Sequence, residues 1–135
     1  MKQVYIDNMS DWERKLMDKH PAMFKHLWRP PECSEGWSTL LDDLMTDMER
    51  VMEESGEDIT LRVFQIKEKF GGLRFYADVD GSVEIAGALA ALVSEAERRS
   101  YSICEVCGAE GELRRERSWI RTLCDTHDRE AANRQ

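Results

Sequence analysis

Apolar side chains recur at intervals of three and four residues in several stretches of the chain, as they do in amphipathic helices. The clearest stretch covers residues 37–52 and is followed by Gly56, a residue that favours the left-handed conformation at a helix end. Ser10 and Glu13 form an S-x-x-E capping box. That box predicts a second helix over residues 11–19.

Three further elements are predicted from weaker patterns. Ser82 is a candidate N-cap for an alanine-rich helix over residues 83–99. Pro21 ends the helix before it, and a short helical turn over residues 23–27 is expected to follow. Residues 2–6 read as a short edge strand.

Beyond the helix at 37–52, the period of the apolar positions changes to two, which predicts strands at 61–70 and 73–77. Gly71 and Gly72 supply the positive φ angles of a tight turn between them. If these two glycines form the loop, the resulting register gives the hairpin one apolar face and one basic face. The apolar face would carry Phe64, Ile66, Phe70, Leu73, Phe75 and Ala77. The basic face would carry Lys67, Lys69, Arg74 and Tyr76.

Glu68 falls on the apolar face in this register. A buried carboxylate requires a partner, so we expect either an arginine beside it or a longer loop with a different register. A buried Glu68 would also be the starting point for an enzymatic role at the hairpin, provided that its pKa is displaced.

The net charge of −8 arises from 27 acidic and 19 basic residues. Its source is the segment 1–58, which holds 14 acidic and 7 basic side chains. This balance argues against non-specific coating of nucleic acid, because that binding depends on neutralising phosphates with Lys and Arg. The longest apolar run, residues 85–93, is less than half of the roughly twenty residues that a membrane-spanning helix needs.

The C-terminal part carries the strongest chemical pattern. Cys104, Cys107, Cys124 and His127 form C-x2-C and C-x2-H pairs separated by sixteen residues. Three thiolates and one imidazole suit tetrahedral zinc, and a site filled entirely by protein is structural rather than catalytic. Gly108 permits the tight turn of a zinc knuckle. A redox C-x-x-C pair and an iron–sulfur cluster are the weaker alternatives.

Around these ligands we expect a hairpin with strands at 112–115 and 119–123, and then a helix at 125–133. This order is typical of a treble clef, whereas a zinc ribbon would place the second pair on another knuckle. The predicted fold is therefore α+β, with helices packed on a β-hairpin in a body (1–102) and a docked, treble-clef-like zinc module (103–135).

The zinc module also carries a group of basic side chains around one aromatic residue: Arg114, Arg115, Arg117, Trp119 and Arg121. They can contact phosphates and stack on bases, as in nucleic-acid-binding fingers. The alternative, which we favour, is a solvated hairpin in which glutamates alternate with the arginines. The basic face of the first hairpin is likewise either a site for an anionic ligand or partner or an ordinary exposed surface.

The sequence shows no nucleophile–base pair. The treble-clef nucleases need a catalytic histidine on the zinc hairpin, and residues 108–123 contain none. His20 and His26 are expected at the surface or in capping roles, and Cys33 is expected to be a half-buried filler or a free thiol. We therefore expect a protein that is not an enzyme.

Three segments together resemble a family of small, uncharacterised phage, prophage and bacterial proteins. They are CSEGWSTLLDDL at 33–44, QIKEKFGGLRFYAD at 65–78 and CEVCGAEGELRR…WIRTLCDTH at 104–127. The resemblance implies a zinc site on the four ligands named above. A phage origin would favour a modulator or inhibitor of a host system, including an antiviral defence.

These observations favour a non-enzymatic, zinc-stabilised module that binds another protein. The alternative is nucleic-acid binding through the arginine-rich zinc hairpin. The cysteine usage fits a reducing compartment, and we expect the cytoplasm. The sequence does not indicate an oligomeric state.

Overall fold

The computed structural model describes residues 3–133, and the side chains of residues 5–133. The helices are α1 (Gln3–Asp7), α2 (Asp11–Lys19), α3 (Pro21–Phe24), α4 (Ser38–Ser55), α5 (Val83–Ser100) and α6 (Asp125–Asn133). The strands are β1 (Thr60–Lys69), β2 (Gly72–Asp80), β3 (Glu112–Arg114) and β4 (Arg121–Leu123). The predicted mixture of helices packed on a β-hairpin is confirmed.

Local signals account for the ends of the main helices. The backbone N–H of Ser10 donates to the carboxylate of Glu13 over 3.0 Å, at the start of α2. The hydroxyl of Ser82 accepts the N–H of Ile85 at the start of α5. Gly56 ends α4 in the left-handed conformation, with φ at +66°.

The strand predicted at residues 2–6 is wrong, because Gln3–Asp7 form the helix α1. Lys2 lies outside the described residues. Tyr5 and Met9, four residues apart, are both buried in the core. A segment of five residues is too short for its apolar pattern to distinguish a strand from a helical turn.

The turn predicted for the first hairpin is displaced by one residue, so the predicted strand pairing is wrong by two residues. Lys69 pairs with Gly72 and Glu68 pairs with Leu73, so the turn consists of Phe70 and Gly71. Both turn residues have positive φ, at +53° and +87°. A Gly-Gly pair does not have to occupy the turn together, because only one of the two glycines is needed there.

The altered register and a bulge between Val63 and Gln65 change the composition of the apolar face. The buried apolar side chains of the hairpin are Val63, Ile66, Leu73 and Phe75. Phe70 and Ala77 were predicted on this face and are exposed instead. Phe64 is half-buried, and its ring lies 6.3 Å from that of Trp28.

Both edges of the two-stranded sheet are covered near its tip. Along β1, Glu32 donates its N–H to Ile66 and accepts the N–H of Glu68 at its carbonyl oxygen. Along β2, the N–H of Leu73 donates to the Ser100 hydroxyl of α5 over 2.9 Å. Covered edges prevent pairing with the strand of another chain.

Helices α4 and α5 pack together, and α5 also packs against β2. The largest fully buried side chains include Trp37, Phe24, Leu41, Met45, Met48, Ile66, Leu73 and Leu89. Among the described residues, no helix is both long enough and apolar enough to cross a membrane.

Candidate metal centre

The structure brings together the four predicted ligands, Cys104, Cys107, Cys124 and His127, with one ligand atom from each lying within 4.8 Å of the others. The first two lie in the loop between α5 and β3. Cys124 follows β4 directly, and His127 lies in the first turn of α6. The order of the elements therefore carries two ligand pairs, far apart in sequence, to one point that can hold a metal ion.

Two distances between ligand atoms agree with those expected around a tetrahedral metal ion such as zinc, and a third is shorter. Zinc–sulfur bonds of 2.3 Å and zinc–nitrogen bonds of 2.0–2.1 Å imply about 3.8 Å between two sulfurs and about 3.6 Å between sulfur and nitrogen. The Sγ atoms of Cys107 and Cys124 lie 3.8 Å apart. Nδ1 of His127 lies 3.6 Å from Sγ of Cys104 and 3.2 Å from Sγ of Cys124.

Backbone hydrogen bonds favour the thiolate form of Cys104. Gly108 has φ at +81°, and its N–H donates to the Cys104 carbonyl oxygen over 2.9 Å. Burial raises the pKa of the Cys104 thiol, but backbone hydrogen bonds from Cys124, Cys107 and Val106 outweigh burial and lower this pKa to about 6. A thiol that ionises readily is suited to metal binding.

The ligand pair at α6 is held by its own helix. The N–H of Asp128 donates to the Cys124 carbonyl oxygen over 2.9 Å. The Nε2 atom of His127 faces the carboxylate of Glu130 at 3.9 Å, on the side of the ring away from the thiols. The start of α6 therefore sets the positions of both ligands of this pair.

Three of the four predicted hairpin arginines are engaged within the chain. Arg114 donates to the carbonyl oxygen of Leu123 and to Asp125. Arg117 pairs with Asp128 at 2.9 Å. The guanidinium of Arg121 lies 3.3 Å from a carboxylate oxygen of Glu105 and 5.2 Å from the Trp119 ring. These contacts connect β3, β4 and α6 around the cluster.

Arg115 and Trp119 are the exposed members of that group, and 64% of Trp119 is accessible. The four predicted residues of the basic hairpin face are also brought together. Lys67 lies opposite Arg74 in the register, with Lys69 and Tyr76 on the same side of the sheet.

Sequence reasoning missed Glu105, which joins the cluster to the body. This residue is only 4% exposed. Its carboxylate accepts the N–H of Ser34 and pairs with Arg121, while its carbonyl oxygen accepts the N–H of Gly36 over 2.7 Å. Its charge requires these partners because it is buried, and burial could not be inferred from its position between Cys104 and Cys107.

Gly36 allows this close approach. A Cβ atom at Gly36 would lie 2.2 Å from the carbonyl oxygen of Cys104 and 2.4 Å from that of Glu105. The indole N–H of the next residue, Trp37, donates to the Ile103 carbonyl oxygen over 2.9 Å. The segment before α4 therefore fits closely against the loop that carries the first ligand pair.

Two predicted roles change in the structure. His20 occupies the cap position between α2 and α3, as predicted, but it is buried rather than at the surface. Its ring nitrogens lie 2.7 Å from Asp42 and 2.6 Å from Glu49. Asp42 and Glu49 lie two turns apart on α4, and this spacing was the sequence signal for a histidine held between two carboxylates. Glu68 has no arginine partner among residues 3–133, and its carboxylate accepts the N–H of Gly71 over 2.7 Å. That bond gives Glu68 a structural role in the turn.

Comparisons of this chain with protein-family models, with curated proteins and with solved structures find no match.

Proposed function

We propose that this chain is a non-enzymatic protein-interaction module whose C-terminal segment is stabilised by one structural zinc ion. The observation that carries the proposal is the closed set of ligands. Cys104, Cys107, Cys124 and His127 would fill all four positions of a tetrahedral ion and leave none for a water molecule or a substrate.

We further assign this segment to the treble-clef type. The first ligand pair lies in a glycine-containing turn, a short hairpin follows, and the second pair lies at the start of α6. A zinc ribbon would instead carry its second pair in another turn. The support for this assignment is the position of His127 inside a helix.

Exposed aromatic side chains support protein binding. Trp28, Phe70 and Trp119 are each more than 60% accessible. Aromatic residues are enriched in the centres of protein interfaces. Nucleic-acid binding is the weaker alternative, because Arg114, Arg117 and Arg121 have intramolecular acidic partners.

The resemblance to phage and prophage proteins extends the proposal to a target in the bacterial host, which the module would modulate or inhibit in the cytoplasm. The test is a pull-down with the tagged, zinc-loaded chain from lysate of its native host, with and without nuclease. We expect a stoichiometric protein that survives nuclease and 0.5 M salt, at which the Debye length is only about 4 Å. Loss of all captured material on nuclease treatment would favour nucleic acid instead.

A further inference from the structure

An open cleft of about 510 Å³ lies where the tip of the first hairpin meets the second. Its walls are formed by Phe70, Tyr101, Leu113, Arg115 and Ile120. Four of these side chains are apolar or aromatic, the fifth is a cation, and none is a carboxylate. A concave apolar surface with one oriented polar group is the usual form of a binding pocket.

Phe70 is the unusual member of this cleft. Its φ of +53° lies in the left-handed region, and 68% of the residue is accessible. Two-residue hairpin turns with positive φ at both positions favour Asn, Asp or Gly at the first position, and a bulky side chain there is strained. Neither core packing nor turn geometry accounts for this phenylalanine, and strained residues of this kind cluster at binding sites.

The rim of the cleft is basic although the chain as a whole is acidic. The Lys69 ammonium lies 5.8 Å from the centre of the Phe70 ring. Arg74 donates to the Tyr101 hydroxyl over 3.2 Å, so its charge lies beside the cleft wall. The nearby carboxylate of Glu68 is turned towards the N–H of Gly71.

We propose that this cleft binds an acidic segment of a partner protein, with an apolar side chain inserted beside Phe70 and Asp or Glu residues beside Lys69, Arg74 and Arg115. The inference rests on the proposed function and names its surface and the chemistry of its partner. An apolar anchor contributes affinity, and charges at the rim select the partner. Nucleic acid and anionic membranes are disfavoured, since binding them requires many neutralised phosphates and the rim offers only Lys69, Arg74 and Arg115.

The test is a selection from a random dodecapeptide library displayed on phage, with the zinc-loaded full chain as bait. We expect the selected peptides to carry an aromatic or aliphatic residue flanked by at least two acidic residues. Fluorescence anisotropy then measures the binding of the synthetic peptides. Phe70→Asn should weaken binding about tenfold or more, in the range of interface hot spots.

Phe70→Asn should leave the melting temperature unchanged or raise it, because Asn-Gly suits this turn. The loss of affinity is then separable from loss of folding. Val83→Ser is the matched control, since Val83 is the first residue of α5, outside the cleft, and is 86% exposed. Arg115→Gln should weaken binding and reduce its salt dependence, while Lys15→Gln, an equal change of charge on α2, should do neither.

The proposal is overturned if no peptide is selected, if the selected peptides lack acidic residues, or if Phe70→Asn binds them normally. Self-association in sedimentation that Phe70→Asn abolishes would assign the cleft to a second copy and also overturn it. If the lysate partner binds the Phe70→Asn variant as well as the wild type, this proposal fails and the proposed function stands. If the wild type captures no partner, the proposed function fails.

Discussion

The hydroxyl of Thr122 donates a hydrogen bond of 2.6 Å to the carbonyl oxygen of Gly71. Thr122 lies two residues before the ligand Cys124, and Gly71 forms the tip of the first hairpin. Both residues are buried. Gly71 has φ at +87°, which disfavours any side chain, and a Cβ atom there would also lie 2.3 Å from the Leu113 side chain, so glycine suits the place where the two hairpins meet. This bond links the candidate metal centre to the hairpin of the body.

Thr122→Val tests that link. The substitution keeps the volume of the side chain but removes the donor to Gly71, so the free energy of unfolding should fall by about 1–3 kcal/mol. Urea denaturation of the zinc-loaded protein measures the change. Thr39→Val, at an exposed position of α4, is the matched control. Equal stability of the two variants would show that the hydrogen bond contributes little.

Gly36→Ala should destabilise the contact between the segment before α4 and the loop of the first ligand pair. The added methyl group would overlap two backbone carbonyl oxygens, which cannot move without disturbing Cys104, so we expect a cost of about 1–3 kcal/mol. Gly87→Ala is the control within α5, where an added Cβ meets nothing within 4 Å. That substitution should stabilise the helix by about 0.5–1 kcal/mol. Thermal unfolding compares the two, and changes of the same sign would contradict this account.

Cys107→Ser should release the metal and unfold residues 103–133, while α4, α5 and the first hairpin remain folded. The reason is that the C-terminal segment contributes few apolar residues to the core. Zinc content and hydrogen exchange of the backbone amides measure the two effects. Cys33→Ser should keep both zinc and protection, because Cys33 lies outside the cluster. A Cys107→Ser variant with unchanged zinc content would disprove the assignment of that ligand.

Acid should destabilise the protein through Asp42. Its hydrogen bond with His20, the largest cause, and then one with Lys19 hold the pKa of Asp42 below its ordinary value of 3.8 against the opposing effect of burial. The unfolded chain therefore takes up this proton at higher pH than the folded chain does. The stabilisation is complete above about pH 4 and is lost as the pH falls through the lowered pKa.

Urea midpoints between pH 3 and pH 6 measure this dependence. Asp42→Asn should lower the midpoint at pH 6 and flatten its decline towards pH 3. Asp43→Asn removes the same charge from an exposed neighbouring position and should leave the slope unchanged. A wild-type slope in the Asp42→Asn variant would mean that other carboxylates cause the acid sensitivity.

Local signals made much of the fold predictable. The capping box at Ser10 and the left-handed Gly56 both act within one helical turn, so the sequence indicates the helix ends directly. Each ligand pair likewise spans only one short segment, a loop for the first pair and the start of a helix for the second. The structure places the four ligand atoms together, as this spacing predicted. Such features depend on neighbours in sequence more than on the rest of the chain.

The features that were missed depend on tertiary contacts. The hairpin turn contains Phe70 instead of Gly72, because Gly72 is needed as the first residue of β2. A Cβ atom at Gly72 would lie 2.3 Å from the Tyr101 ring. The burial of His20 requires two carboxylates of α4, and that of Glu105 requires Ser34 and Arg121. Neither the pairing nor the burial follows from the periodicity of the sequence.

Native mass spectrometry of the purified full chain, with and without a zinc chelator, tests the central claim most directly. We predict one zinc ion per chain, and a fall in melting temperature when the ion is removed. Variants at Cys104, Cys124 or His127 should not retain the ion. A metal-free chain with an unchanged melting temperature, or a disulfide between the cluster cysteines, would contradict the account.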